Sequence, residues 1–221
     1  MTSIVTICIS CSTRGAAACL AIASLAITSA ANARETLPDL HSEVTTKFDS
    51  APVRSDYMLA DIAVLAHQEH RDADRALLGF YTSEFGYTID LVPKGDPTCP
   101  IQIDTTVTLR LQHRLIEIGQ EVATNSCVYP EALRHYQRLA EVDEQTIEHF
   151  GASTAATLVQ ADPTLKKTYA PHAEDLDGAL RDQIHAVVDA AIAPLHGARQ
   201  GAQQAVNKSS EFKQLASACS I

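Results

Sequence analysis

Tryptophan is absent, and aromatic residues make up only 5% of the 221-residue chain. A surface that stacks exposed nucleobases has little to be built from. Basic residues are scarce too: 17 Lys and Arg stand against 27 Asp and Glu, for a formal net charge of −10. That balance argues against a dominant phosphate-binding face, so neither nucleic acid nor an anionic membrane surface is expected as a partner. Several catalytic signatures are missing as well. The sequence has no G-x-S-x-G elbow, no G-x-x-x-x-G-K-[ST] loop, no G-x-G-x-x-G turn and no EF-hand loop. Acids are plentiful, yet no spacing singles out a pair for glycoside hydrolysis.

Long apolar runs are missing everywhere except near the start. Arg14 is the only charge among residues 1–33, and the run Gly15 to Ala31 follows it. Ala31-Asn32-Ala33 then supplies the small-x-small pattern that a signal peptidase requires, with Arg34 and Glu35 opening the next segment. This layout predicts a cleaved secretory signal over 1–33 and an acidic mature chain, 34–221, forming one domain in the periplasm or secreted from a bacterium. No membrane span is expected after cleavage.

Three cysteines remain beyond that leader: Cys99, Cys127 and Cys219. Cys99 precedes a strand-like run and Cys127 a helix-like one. In an oxidising compartment these two are expected to pair, closing a loop worth about 3–4 kcal/mol by chain entropy. Cys219, near the C-terminus, is the odd one out, either a free thiol or a partner in place of one of these two. Three cysteines without a C-x-x-C spacing are a poor match to a metal site.

Residues 34–54 lack a clear period and read as an extended lead. Ser55 suits an N-cap, and Met58, Ile62, Leu65, Ala66, Ala73 and Leu77 follow at helical spacing, predicting a helix to about Arg75. Aromatic and branched residues then dominate from Leu77 to Leu91, and Pro93 to Pro97 closes that stretch as a turn. Ile101, Ile103, Thr105, Val107, Leu109 and Leu111 alternate beyond it. Two or three antiparallel strands are expected between 77 and 122, because no crossover helices separate them. After Pro130 helical stripes take over: one carries Leu133, Tyr136, Leu139, Ala140, Ile147 and Phe150 and is expected to stop at Asp162-Pro163. Another carries Leu176, Leu180, Ile184, Val187 and Val188 and is interrupted by Pro194 and Gly197. The expected architecture is α+β and helix-dominated, a small antiparallel sheet packed against long helices with a helical C-terminal half.

The nearest approach to a chemical motif is His135-Tyr136-Gln137-Arg138-Leu139, on a helix that follows a strand-rich segment and Cys127. Over about residues 76–150, with a weaker echo at Ser210-Glu211-Phe212-Lys213 before Cys219, the chain resembles secreted bacterial proteins with a zincin-like HExxH helix. In such a helix two His one turn apart bind zinc, and the intervening Glu polarises the metal-bound water. His135 falls on the first His. Tyr136 stands where the general base belongs and Leu139 where the second His belongs. The resemblance therefore implies a scaffold kept and a protease chemistry lost, with His135 as the only metal candidate.

Other groups carry less. His67 and His70 can share a helix face, but His67-Gln68-Glu69-His70 is one residue short of an inverted zincin motif, and surrounding charges suit a solvated face. The acidic run Glu141, Asp143, Glu144 and Glu148 is expected to solvate the outer side of its helix. No catalytic or cofactor-binding residue is assigned, and no cofactor is expected. The function these readings predict is a non-catalytic exported protein that binds a protein or envelope component. The alternative is a metal-dependent hydrolase, with zinc as the candidate cofactor and non-standard ligands including His135; a helical paired assembly fits less well, because Pro194 breaks the stripe.

Overall fold

The computed structural model describes residues 39–68, 78–96, 99–169 and 176–208. The expected signal segment, His70 and Cys219 lie outside the described residues, as do the side chains of His67 and Cys99. The elements run β1 (Asp39–Phe48), β2 (Val53–Arg54), α1 (Leu59–Gln68), β3 (Gly79–Asp96), β4 (Cys99–Ile118), α2 (Gln120–Ala123), α3 (Tyr129–Tyr169), α4 (Leu176–Ile192) and α5 (Leu195–Asn207). Among the described residues no helix is long and apolar enough to cross a membrane.

The aromatic and branched residues from Gly79 onward do enter a hairpin, but the turn expected to begin at Pro93 does not begin there, since β3 stays paired through Asp96. β3 and β4 pair antiparallel from Gly79 opposite Ile118 to Asp96 opposite Cys99. The rest of the sheet overturns the expectation of an antiparallel sheet of two or three strands. β1 and β2 pair parallel with the other edge of β4, Asp39 opposite Gln102 through Phe48 opposite Leu111, then Val53 opposite Ile116. The four-stranded sheet is mixed, with β4 in the centre. Parallel pairing needs a return path, and here β3 itself provides it. The chain leaves β2 at the Ile116 end, crosses that end through α1, runs back along β3 and comes forward again in β4. No crossover helix over the sheet face is required. The extended lead thus became two strands because β4 offered an unpaired edge with buried alternate side chains, a long-range opportunity invisible in local periodicity.

α3 lies along the sheet antiparallel to β4. The Tyr136 hydroxyl donates to the Gly79 carbonyl at 2.8 Å at one end, and Lys166 meets Asp39 at 3.4 Å at the other. Gly151 lets the helix close on β1: a Cβ there would stand 3.2 Å from Thr46 Cγ2. Asn125 caps the start of α3, its Oδ1 accepting the Cys127 and Val128 amides at 3.0 and 3.3 Å. The expected stop at Asp162-Pro163 does not occur, and α3 continues for 41 residues through Pro163. Pro163 and Val159 both face solvent, so the Val159 carbonyl that loses its amide partner is open to water. The break at Pro194 is observed, between α4 and α5.

The buried side chains form two apolar clusters along the sheet. One gathers Leu78, Tyr81, Ile116, Ile118, Val122, Val128, Ala132, Tyr136, Leu139 and Ala140. The other includes Ile89, Ile103, Val107, Leu109, Leu111, Ile147, Leu158, Leu165, Leu180, Ile184 and Leu195. The boundary falls at a β-bulge. Thr82 pairs with Leu115 but Glu84 with Gln112, so β4 carries one extra residue there, and His113 takes a left-handed φ of 53°. From Ile103 to Leu111 the odd positions of β4 point at the helices; beyond the bulge Arg114, Ile116 and Ile118 do. One inserted residue has reversed the parity of the strand.

Candidate functional site

The parity reversal turns Arg114 inward, into the gap between the two apolar clusters. There it meets the largest concentration of buried polar groups described. Asp143, on α3 between Ala140 and Ile147, has no exposed surface. Its Oδ1 accepts Arg199 Nε at 2.5 Å, and its Oδ2 accepts Arg199 Nη2 at 2.8 Å, Ser83 Oγ at 2.6 Å and the Tyr81 hydroxyl at 3.1 Å. Arg199 Nη2 also donates to Ser83 Oγ at 2.6 Å. Arg114 donates through Nε to the Tyr81 hydroxyl at 3.3 Å, through Nη1 to the Asp49 carbonyl at 2.8 Å, and through Nη2 to Glu144.

Two guanidinium groups thus face two carboxylates, joined by two hydroxyls, and the set carries no net formal charge. Burial pushes the Tyr81 hydroxyl above its ordinary pKa, and the Asp143 charge adds to that against the opposing hydrogen bond with Ser83. For Arg114, burial is the largest influence and lowers the pKa. The hydrogen bonds and attraction to Tyr81 and Glu144 together outweigh it, so the net direction is upward. Both shifts move the groups further from neutrality, which suits a structural clamp and not proton transfer near pH 7.

An open cleft of about 360 Å³ adjoins the clamp, lined by Phe85, Ile192, Ala193, Leu195, His196 and Arg199. Beyond Phe85 on β3, the Tyr87 hydroxyl donates to Asp189 Oδ1 at 2.6 Å. With that proton committed, its 2.9 Å contact with His185 closes with the ring Nδ1–H donating. Burial, followed by the Asp189 hydrogen bond and charge, pushes Tyr87 up to about 12. Arg181 donates to the Ile89 carbonyl, so α4 supplies a partner to the backbone of β3.

A second buried carboxylate serves the loop before α1. Glu117 has no exposed surface, and its Oε1 accepts the backbone amides of Asp56 and Tyr57, the latter at 3.1 Å. It holds the segment that crosses the end of β4.

The residues singled out from sequence are dispersed. Tyr136 and Leu139, on the HExxH-like turn, are buried in the first apolar cluster. His135 is half-buried, with Nε2 3.0 Å from Asn207 Oδ1 on α5 and its ring edge-on to Tyr136 at 5.1 Å between centroids. Cys127 is exposed and disulfide-bonded. The acidic run divides: Glu141 and Glu148 are exposed as expected, whereas Asp143 and Glu144 point at Arg199 and Arg114. Expecting all four on the outer face overlooked their phase. Asp143 falls in step with Tyr136, Ala140 and Ile147, at the spacing of the apolar stripe, and a charge in that phase signals a buried partner. Arg199, four residues after Leu195, carries the matching signal on α5. No protein-family model, no curated protein and no solved structure matches this chain.

Proposed function

We propose that this chain is an exported, non-catalytic protein that binds a protein or another component of the cell envelope. The observation that supports the reading is how the residues of the HExxH-like turn are used. The Tyr136 hydroxyl serves the Gly79 carbonyl, Leu139 packs in the core, and His135 meets Asn207. A side chain enclosed in packing cannot activate water, and Leu offers no lone pair to a metal. The two arginines and two carboxylates of the clamp likewise neutralise one another.

The contact surface that suits this reading is the face of the sheet turned away from the helices. Thr88, Thr108 and Thr45 lie in register across β3, β4 and β1, and the Thr45 and Thr108 hydroxyls stand 3.1 Å apart. Glu43, Thr106 and Asp90 form the next row. Such a face offers hydrogen bonds, not apolar contact, to its partner.

Zinc analysis and a peptidase assay on purified mature protein test the non-catalytic part. The expected result is no chelator-sensitive cleavage, with metal content unchanged by His135→Ala. Stoichiometric zinc, with a cleavage activity lost to a chelator and to His135→Ala, would establish the hydrolase alternative. For the binding part, Thr45→Lys/Thr88→Lys should release an envelope component captured by the wild type while leaving thermal unfolding nearly unchanged. Capture that survives this change excludes the sheet face.

A further inference from the structure

Cys127 is disulfide-bonded, and the described elements bear on which of the two cysteines beyond the predicted leader, Cys99 or Cys219, is its partner. Cys99 opens β4 opposite Asp96, at the hairpin end of the sheet. Cys127 follows α2, beyond Ile118 at the other end. The 20 residues of β4 span about 60 Å at roughly 3.3 Å per residue. α3 does not fold back to shorten that distance, since its first turns meet Gly79 and its last described contacts meet Asp39. A disulfide needs its Cα atoms within about 7 Å.

The C-terminal helix approaches from the favourable direction. α5 runs antiparallel to α3, with Arg199 on Asp143 and then Asn207 on His135. Its last residues therefore stand beside the first turns of α3. His135 and Cys127 are eight positions apart, about 12 Å if measured at the helical rise. Eleven residues after Lys208 comes Cys219, and a chain of that length reaches up to roughly 36 Å.

We infer that Cys127 pairs with Cys219, and that the bond fastens the segment after α5 to the start of α3. The bond encloses α3, α4 and α5 in a single covalent loop. Its formation is a thiol–disulfide exchange. The two thiols of Cys127 and Cys219 lose two protons and two electrons to a disulfide-bearing oxidant, which leaves as two thiols. Cys127 is solvent-exposed, so that oxidant has access to it.

Alkylation of free thiols followed by non-reducing tryptic mapping reads the connectivity directly. The expected product joins the peptide 115–134, carrying Cys127, to 214–221, carrying Cys219, while 95–110 is recovered with Cys99 alkylated. Cys99 linked to Cys127 would overturn the inference, as would Cys219 recovered alkylated. Variants supply an independent reading. Cys219→Ser should expose Cys127 to alkylation and lower Tm by several degrees, with Cys127→Ser no more harmful and the double variant no worse than either. Unchanged protection of Cys127 in Cys219→Ser would equally defeat the proposal. Cys99→Ser should leave the Cys127 protection intact.

Discussion

Asp143 accepts four hydrogen bonds in a place with no solvent to replace any of them. Removing it leaves the Arg199 guanidinium, whose side chain is only 15% exposed, without its counter-charge. Asp143→Ala should therefore cost about 3–5 kcal/mol in denaturant unfolding, the usual penalty for stranding one half of a buried ion pair. Replacing both partners with apolar side chains, as in Asp143→Leu/Arg199→Met, should restore much of that loss, because no uncompensated charge remains. The tyrosines around this region are expected to contribute to loss of stability at alkaline pH. Tyr87 titrates near 10 when unfolded and at about 12 when folded, so the folded state holds its proton more tightly. Its contribution is complete below pH 10 and is lost as pH rises towards 12; Tyr81 is shifted in the same direction. Tm measured across that range should fall less steeply in Tyr87→Phe than in the wild type. A parallel fall in both proteins would mean that Tyr87 does not contribute to that loss.

Among the elements, the β3–β4 hairpin and α3 depend on close approach at a single glycine. A Cβ on Gly79 would lie 2.1 Å from the Glu117 carbonyl oxygen and 2.9 Å from the Tyr136 ring. The first of these is backbone in the central strand and cannot rotate away. Gly79→Ala should destabilise by about 2–4 kcal/mol and also weaken the Tyr136 hydrogen bond to the residue 79 carbonyl. Pro163 presents the opposite case. It sits inside α3 on the solvent side, where it removes a helical hydrogen bond without serving the core. Pro163→Ala should raise stability by about 1–3 kcal/mol, less than the full helix-propensity difference because the unfolded chain also gains freedom. An unchanged midpoint would indicate that the helix already accommodates the missing donor.

At the scale of the molecule, the bulge at His113 divides one long layered body into two apolar clusters with a charged clamp between them. α3 belongs to both clusters, and Arg199 of α5 reaches Asp143 at the division. This arrangement makes the helical layer depend on α5 being held down. Its far end meets His135 through Asn207, and a disulfide beyond it would reinforce that contact. Asn207→Ala should therefore cost no more than about 1 kcal/mol, the size of one partly exposed hydrogen bond, while the disulfide remains. Its effect should be larger under reducing conditions; equal losses in the two states would argue that the two fastenings act independently.

Much of the molecule was determined by local sequence alone. The branched and aromatic alternation specifies the strands of the hairpin, and the apolar stripes specify α3 and α4. Pro194, with its fixed φ and missing amide, specifies the break before α5. These follow from forces that act within a few residues. The tertiary structure decided what local forces leave open. Residues 39–48 and 53–54 became strands because β4 presented an edge to pair with, and the direction of that pairing followed from the path of β3. Arg114 turned inward because the bulge changed the parity of β4, and Asp143 is buried because Arg199 comes to it from 56 residues away. The two carboxylates at 143 and 144 lie within three positions of exposed Glu141, and the partners opposite them separate clamp from surface. A buried charge needs partners that a distant chain segment supplies, so the phase of Asp143 within the apolar stripe signals that a partner exists, but no window of neighbouring residues says which one.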